Sequence, residues 1–324
     1  MLLSPTSEES FVAPAETHRP VLLEEVLELL APAPGQIFVD GTLGLGGHAE
    51  KLLEAVGPSG RVVGIDRDSE ALAMATDRLS DHADSFIPCR GDHERIRGLL
   101  QELEIEAVNG ILLDLGVSSM QLDKPERGFS FRHDAPLDMR MSPDGPVTAA
   151  DLLRDTEEVD LRRILWRFGE EKGANAIARA IVRRREQKPL TRTLELATLV
   201  EDVLGPRARR YRIHPATRTF QALRIAVNNE IVGLTATVHD AIRCLAPGGR
   251  LAVIGYHSLE SRAVKHAMRD DTQRCLCPRG LPVCGCGTPG LVKPVTKRAV
   301  RPSSSEIDEN PRSRSAQLRV VERL

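Results

Sequence analysis

The chain has 324 residues, 41% hydrophobic and 28% charged, with a formal net charge of −2. That composition suits one large or two modest globular domains. No run of 18 apolar residues and no basic-then-apolar leader is present, so neither a membrane span nor a signal peptide is expected, and the expected compartment is the cytoplasm. The small net charge hides an asymmetry. Residues 1–159 hold 13 Lys and Arg against 30 Asp and Glu, residues 160–224 hold 16 against 7, and residues 225–324 hold 15 against 9. An acidic front and a basic middle fit a small-molecule core joined to a polyanion-facing surface, although solvated helix faces give the same counts.

In chain order, residues 1–16 are rich in Ser, Pro, Glu and Ala and read as a disordered tail. A short strand over 36–40 runs into a glycine-rich turn and a helix that ends at Gly57-Pro58. A second strand over 62–66 precedes a helix over 69–79 with Ser69 as its N-cap. A third strand over 86–89 leads to a helix over 92–104. A fourth, over 110–114, is apolar without alternation, as expected where both faces are buried. Helical spacing follows over 148–168, 174–187 and 193–204, then a long helix over 216–245 with a break near Gly233. A turn and a fifth strand occupy 245–256, and 294–301 and 316–323 form a last pair of strands. The expected architecture is an α/β, doubly wound, Rossmann-like sheet built from 17–122 and 216–324. A helical subdomain inserted over 123–215 is expected to face RNA.

The first turn reads D-G-T-L-G-L-G-G-H over 40–48, and Asp66 closes the next strand. Glycines let a cofactor approach backbone N–H groups, and an acid at the neighbouring strand end can accept both ribose hydroxyls of an adenosine. A dinucleotide site would place G-x-G-x-x-G directly after the strand. Here an acid comes first, which favours a cationic amino-acid cofactor over a pyrophosphate. In an open α/β sheet the strand ends line one crevice, so Gly46, Asp66, His93 and Asp114 are expected to converge. For His93 the alternative is a helix-entry residue, and for Asp114 a turn or N-cap. A non-catalytic RNA-binding module would explain the basic middle but not this crevice.

Eight ordered blocks carry a family resemblance. They are H-R-P-V-L-L-E-E-V (18–26), the loop at 40–48, G-I-D-R-D (64–68), G-I-L-L-D-L-G-V-S-S-x-Q-L-D (110–123) and R-G-F-S-F-R-x-D-A-P-L-D-M-R-M (127–141), with H-P-A-T-R-T-F-Q-A-L-R-I-A-V-N (214–228), P-G-G-R-L-A-V-I-G-Y-H-S-L-E-S-R (247–262) and N-P-R-S-R-S-A-Q-L-R (310–319). From His18 to the C-terminus the chain resembles the bacterial 16S rRNA cytosine-N4 methyltransferases, the RsmH (formerly MraW) family. The resemblance implies a class I methyltransferase sheet, S-adenosyl-L-methionine as donor, and a decoding-centre cytidine of 16S rRNA as acceptor. It implies cofactor contacts at Gly46, Gly47, His48, Asp66, His93, Asp114 and Gln121; the position of His93 is often Phe in the family. A decoding-centre target favours a late-assembly 30S particle, and a homodimer would help one protein span a large RNA surface. DNA N4-cytosine enzymes share the chemistry but lack these blocks.

A methyl sulfonium is already an activated electrophile, so the enzyme mainly supplies alignment. Cytosine N4 is a poor nucleophile that an acceptor on its amino hydrogens can enrich. Asp114 is one candidate for that acceptor, the alternative being that it serves the cofactor. At the fifth strand end Tyr256 is a candidate to stack on the flipped base and His257 to hydrogen-bond it, the alternative for both being strand-end packing. Many amino-methyltransferases place Pro-Pro-aromatic after the fourth-strand acid, whereas this chain has Leu-Gly-Val. Arg183, Arg184, Arg185, Arg209, Arg210 and Arg212 are the candidate RNA contacts. Cys89 and Cys244 read as buried small hydrophobes. Cys275, Cys277, Cys284 and Cys286 form two C-x-C pairs that can present four thiolates to one structural Zn²⁺, the alternative being a reduced loop. Metal analysis of the purified protein should find stoichiometric zinc that Cys277→Ser removes; its absence from the wild type would sink the zinc site.

Overall fold

Three short apolar runs in the first 114 residues become the centre of a seven-stranded sheet. The strands are β1 (Ile37–Asp40), β2 (Arg61–Asp66), β3 (Phe86–Arg90), β4 (Val108–Asp114), β5 (Leu245–Gly255), β6 (Val292–Pro294) and β7 (Gln317–Arg323). Their order is β3-β2-β1-β4-β5-β7-β6. The first five are parallel, and β7 runs antiparallel to both β5 and β6. This computed structural model describes residues 19–210, 213–272 and 290–324, the side chains of 207, 209 and 210 excepted. The N-terminal tail and the four clustered cysteines lie outside the described residues.

Alternation along the strands divides the sheet's apolar side chains between two cores. Val39, Val63, Ile65, Ile111, Leu113, Leu251 and Val253 face the helices Ile96–Glu102, Leu234–Cys244 and Ser258–Thr272. Phe38, Val62, Leu112, Ala252 and Ile254 face Leu23–Leu30 and Gly47–Val56. A third core belongs to the helices between β4 and β5. Leu153, Leu161, Leu165, Ile177, Ile181, Leu196 and Val200 pack there with Phe220 and Leu223 of the helix Thr217–Asn228.

Local chemistry moves several element ends from their expected places. The helix at Ser69–Arg78 is capped by Asp68, whose Oδ1 accepts the Glu70 N–H, because its carboxylate reaches an N–H that Ser69, already helical, cannot. The run expected as one helix over 148–168 is two, Ala149–Asp155 and Glu158–Gly169, with Thr156 and Glu157 extended between them. Thr148 and Asp151 form a reciprocal capping box that fixes where the first begins. The long helix before β5 stops at Asn228, where Asn229 turns left-handed with φ 53°, and restarts at Leu234. Of the two cysteines among the described residues, Cys89 is half-buried and Cys244 buried.

A buried ionic node joins the second and third cores. Asp68, fully buried, accepts from Gln121 Nε2 at 3.2 Å and pairs with Arg127 Nη2 at 2.9 Å. Arg127 also donates to the carbonyls of Arg140 and Met141. From the other side Asn228 clamps the same loop, accepting from Met141 N and donating to Met139 O, both at 2.7 Å.

Gly110 of β4 pairs with Phe38 of β1, and a Cβ there would lie 2.1 Å from the Phe38 ring. Gly110→Ala should therefore overpack the sheet centre and cost about 1–3 kcal/mol or more. Thermal unfolding should show a clear drop in Tm; an unchanged Tm would contradict this strand pairing.

Candidate active site

The register of the central strands creates the site. Asp40 pairs with Gly64 and with Leu112, so Asp66 and Asp114 stand two residues farther along β2 and β4. Two residues of strand are about 6.6 Å, and β1 leaves the sheet across that notch. Its outgoing loop is stitched to both walls. Gly41 N donates to Leu112 O and Leu43 N to Ile65 O, both at 2.9 Å. Thr42 Oγ1 accepts from Asp114 N at 2.6 Å, and Gly44 N donates to Asp66 Oδ2 at 2.8 Å.

Above the notch lies a cavity of about 260 Å³, lined by the loop, Asp66, His93, Asp114 and Tyr256, and also by Arg224, Glu230 and Glu260. That volume sits just below the range of roughly 300–1,000 Å³ usual for small-molecule sites. Of the expected cofactor residues, Gly47, His48, Asp66, His93, Asp114 and Gln121 line it and Gly46 does not. Gly46 instead takes a left-handed φ of 78° where the helix begins, close against Leu79. Gly47 makes room for Pro20, whose Cγ would lie 2.5 Å from an added Cβ. His48 Nε2 lies 3.0 Å from Val21 O, tying the N-terminal segment to the loop. Gln121 is fully engaged: Oε1 accepts from Ser118 N, and Nε2 donates to Asp68 and Met141 O. It braces the cavity wall.

Three carboxylates crowd the strand ends. Burial pushes Asp40 up to about 7, with Asp66 adding repulsion against its bond from Thr42 N. Burial likewise pushes Asp114 up to about 7, opposed by the Tyr256 hydroxyl that donates to its Oδ1 at 2.8 Å. Burial and the neighbouring Asp114 raise the Tyr256 phenol well above its ordinary value, so it stays a donor. Asp66 is also raised by burial, despite accepting from Gly44 N and Asp68 N.

An adenosyl sulfonium fits this cradle on the residues present. Each Asp66 oxygen accepts one backbone N–H and keeps lone-pair capacity for a ribose hydroxyl. His93 is neutral, its pKa lowered by burial, and its Nδ1 is buried without a hydrogen-bond partner. The destabilised acids favour a cationic ligand.

At the fifth strand end Tyr256 lines the cavity and His257 does not. His257 Nε2 lies 3.1 Å from Glu260 Oε1. Glu260, which sequence reasoning missed, is fully buried, and its Oε2 accepts from the backbone N–H groups of Tyr256 and His257. Burial works to raise its pKa, but His257 and Arg224 outweigh it and hold the carboxyl below its ordinary value. The Ser258-Leu259-Glu260 helix start carried a visible signal, an acid in the first turn. Arg224 was missed too, although it shares the apolar stripe of Phe220, Leu223 and Val227 at helical spacing. Of the expected RNA contacts, Arg183 is exposed, Arg184 donates to Lys188 O, and Arg185 donates to the carbonyls of Leu153 and Thr156. Arg212 and the side chains of Arg209 and Arg210 lie outside what the structure describes.

The family described as MraW methylase matches residues 15–324, nearly the whole chain. The chain belongs to the MraW methylase family. Ribosomal RNA small subunit methyltransferase H of Anaeromyxobacter sp. (strain K) is 51% identical over 307 residues, 95% of this chain and 98% of that one. Its counterpart in Carboxydothermus hydrogenoformans is 48% identical over 308 residues, again 95% and 98%. A putative rRNA methylase from Clostridium thermocellum aligns with 93% of each chain at 12% identity, with a TM-score of 0.43. The sheet order is that of the Rossmann-like, class I S-adenosyl-L-methionine-dependent methyltransferases.

In this methylase the two carboxyls near 7 make ionisation uphill. Their contribution to stability falls as pH rises from about 4 to about 7. A bound cation favours the ionised forms, so calorimetric affinity for S-adenosyl-L-methionine should tighten up to about pH 7 and then level off. S-adenosylhomocysteine, without the sulfonium charge, should show a shallower slope, as should Asp114→Asn with the sulfonium ligand. Equal slopes for both ligands would contradict this electrostatic account.

Proposed function

We propose that this methylase transfers a methyl group from S-adenosyl-L-methionine to the exocyclic N4 of a cytidine in the decoding centre of 16S rRNA. The relatives that match it along nearly their whole length are ribosomal RNA small subunit methyltransferases. The observation that carries the acceptor atom is the Tyr256 hydroxyl donating to Asp114 Oδ1 inside the cavity. That bond turns the carboxyl and leaves Oδ2 as an acceptor suited to an amino hydrogen.

Bound S-adenosyl-L-methionine supplies a methyl sulfonium, an electrophile that needs no further activation. Asp66 would hold the ribose hydroxyls, and the stitched loop from Gly41 to Gly44 would fix the donor against the strand ends. His93, on the cavity wall, would meet the adenine, and Gly47 and His48 close the loop under Pro20 and Val21. Asp114 accepts a hydrogen bond from the acceptor amino group, concentrates the nitrogen lone pair on the methyl carbon, and takes the proton that the product nitrogen sheds. With its carboxyl near 7, Asp114 is poised to receive that proton at neutral pH. No covalent intermediate is required for attack by an exocyclic nitrogen. The substrate is proposed to be a late 30S particle in the cytoplasm, met by the basic face of the helices between β4 and β5 and by the enzyme as a homodimer.

Labelled methyl should pass to the cytosine N4 of small subunits lacking the modification, and better to 30S particles than to free 16S rRNA. Label confined to DNA, to protein or to another rRNA atom would refute the reading. Asp66→Ala should abolish cofactor binding. Arg183→Ala should weaken RNA binding about equally across sequences and reduce the salt slope by roughly one.

A further inference from the structure

Arg224, Glu230 and Glu260 share the cavity with the donor cradle and are outside the set of expected donor contacts. Arg224 and Glu230 form a two-point pair, with Nε donating to Oε1 at 2.9 Å and Nη2 to Oε2 at 2.7 Å. Their side chains are 17% and 6% exposed. A desolvated pair costs solvation that an apolar pair of similar volume avoids, and such apolar replacements are often as stable or more so. Packing alone therefore does not call for charge at this wall. Glu230 orients the guanidinium plane, and Arg224 Nη1 has no hydrogen-bond partner among the described residues. Asp114 Oδ2 likewise accepts no bond there, while Oδ1 is taken by Tyr256. The cavity thus offers one free acceptor and one free double donor.

That pair of free groups has a defined complement. Cytosine presents an amino donor at N4 beside acceptors at N3 and O2, whereas uracil presents an acceptor at O4 beside an N3–H donor. We propose that Arg224, held by Glu230, is a specificity-determining residue whose Nη1 donates to the N3 and O2 edge of a cytosine while Asp114 accepts its amino group. The proposal rests on the cytidine reading above and adds to it the residue that rejects uridine. A uracil in the same place would set its O4 against a carboxylate and its N3–H against a guanidinium N–H. Sites built from buried polar groups discriminate strongly because the wrong ligand leaves those groups unpaired. Glu260 supports the arrangement by accepting from the Tyr256 backbone N–H while its charge acts on the Arg224 guanidinium.

The test uses the full chain, calorimetric binding of S-adenosyl-L-methionine, and methyl transfer to unmodified 30S particles. Competition by short RNAs of the target sequence, with C or U at the target position, supplies the specificity readout. Wild type should be inhibited better by the C-containing RNA. Arg224→Gln should keep its cofactor affinity, lose about tenfold or more in kcat/KM for the particle, and lose the preference for C over U. Glu230→Gln, which keeps the guanidinium but frees its plane, should lose part of both. Arg224→Gln that binds the cofactor and keeps the full C-over-U preference would overturn the inference while leaving the cytidine assignment standing. A wild type that methylates no cytidine would overturn both. Should Arg224→Gln fail to bind the cofactor, Arg224→Lys decides by the same preference, since it keeps the charge but not the two-point geometry.

Discussion

Asp40 pairs with Gly64 on one side and Leu112 on the other, so the backbone of β1 leaves the sheet before β2 and β4 have reached Asp66 and Asp114. The rest of the molecule is arranged around that difference in length. Because β1 turns away, the two longer neighbours present their terminal acids across a gap that the outgoing loop crosses. The loop crossing the gap is tied at Leu112, Ile65, Asp66 and Asp114, and the buried Leu43 side chain pins it to the core. Function at this place follows from topology: the gap sits where the strand order reverses direction, between β1 and β4.

The buried acids around the cavity are of two opposite kinds. Asp40, Asp66 and Asp114, at the strand ends, are pushed toward their neutral forms by burial. Glu260 is held ionised by His257, Arg224 and two backbone donors, although it is equally buried. The first group carries a desolvation cost that a cation offsets. The second is already compensated and provides fixed dipoles and charges for orientation. One cavity therefore combines destabilised acids suited to binding with a settled one suited to positioning.

What could be read from the chain was what local chemistry decides. Unbroken apolar runs ending in an acid mark β1, β2 and β4, and the glycines after Asp40 mark the turn. The break near Gly233 was likewise visible from composition. What could not be read depended on partners distant in sequence. Ser69 reads as an N-cap in the sequence, yet Asp68 carries the cap, and Gln121, expected as a cofactor contact, gives its amide to Asp68 and Met141. Arg185 resembled a surface cation in a run of three, yet it closes the end of the helix Ala149–Asp155 through two carbonyls. His257 sits beside a cavity-lining tyrosine in sequence, but the helix start carries its ring to Glu260 instead.

The node formed by Asp68, Gln121 and Arg127 has a thermodynamic corollary. Asp68 is two residues from Asp66, donates its own N–H to that acid, and holds through Arg127 the loop on which Met141 stands at the cavity wall. Displacing the helical layer would strip a buried carboxylate of its counter-charge, a loss of about 3–5 kcal/mol for pairs of this kind. The layer and the donor loop therefore cannot reorganise separately. If a ligand of the helices and a ligand of the cavity both favour the same ordered loop, linkage makes the effect reciprocal, each tightening the other by the same factor.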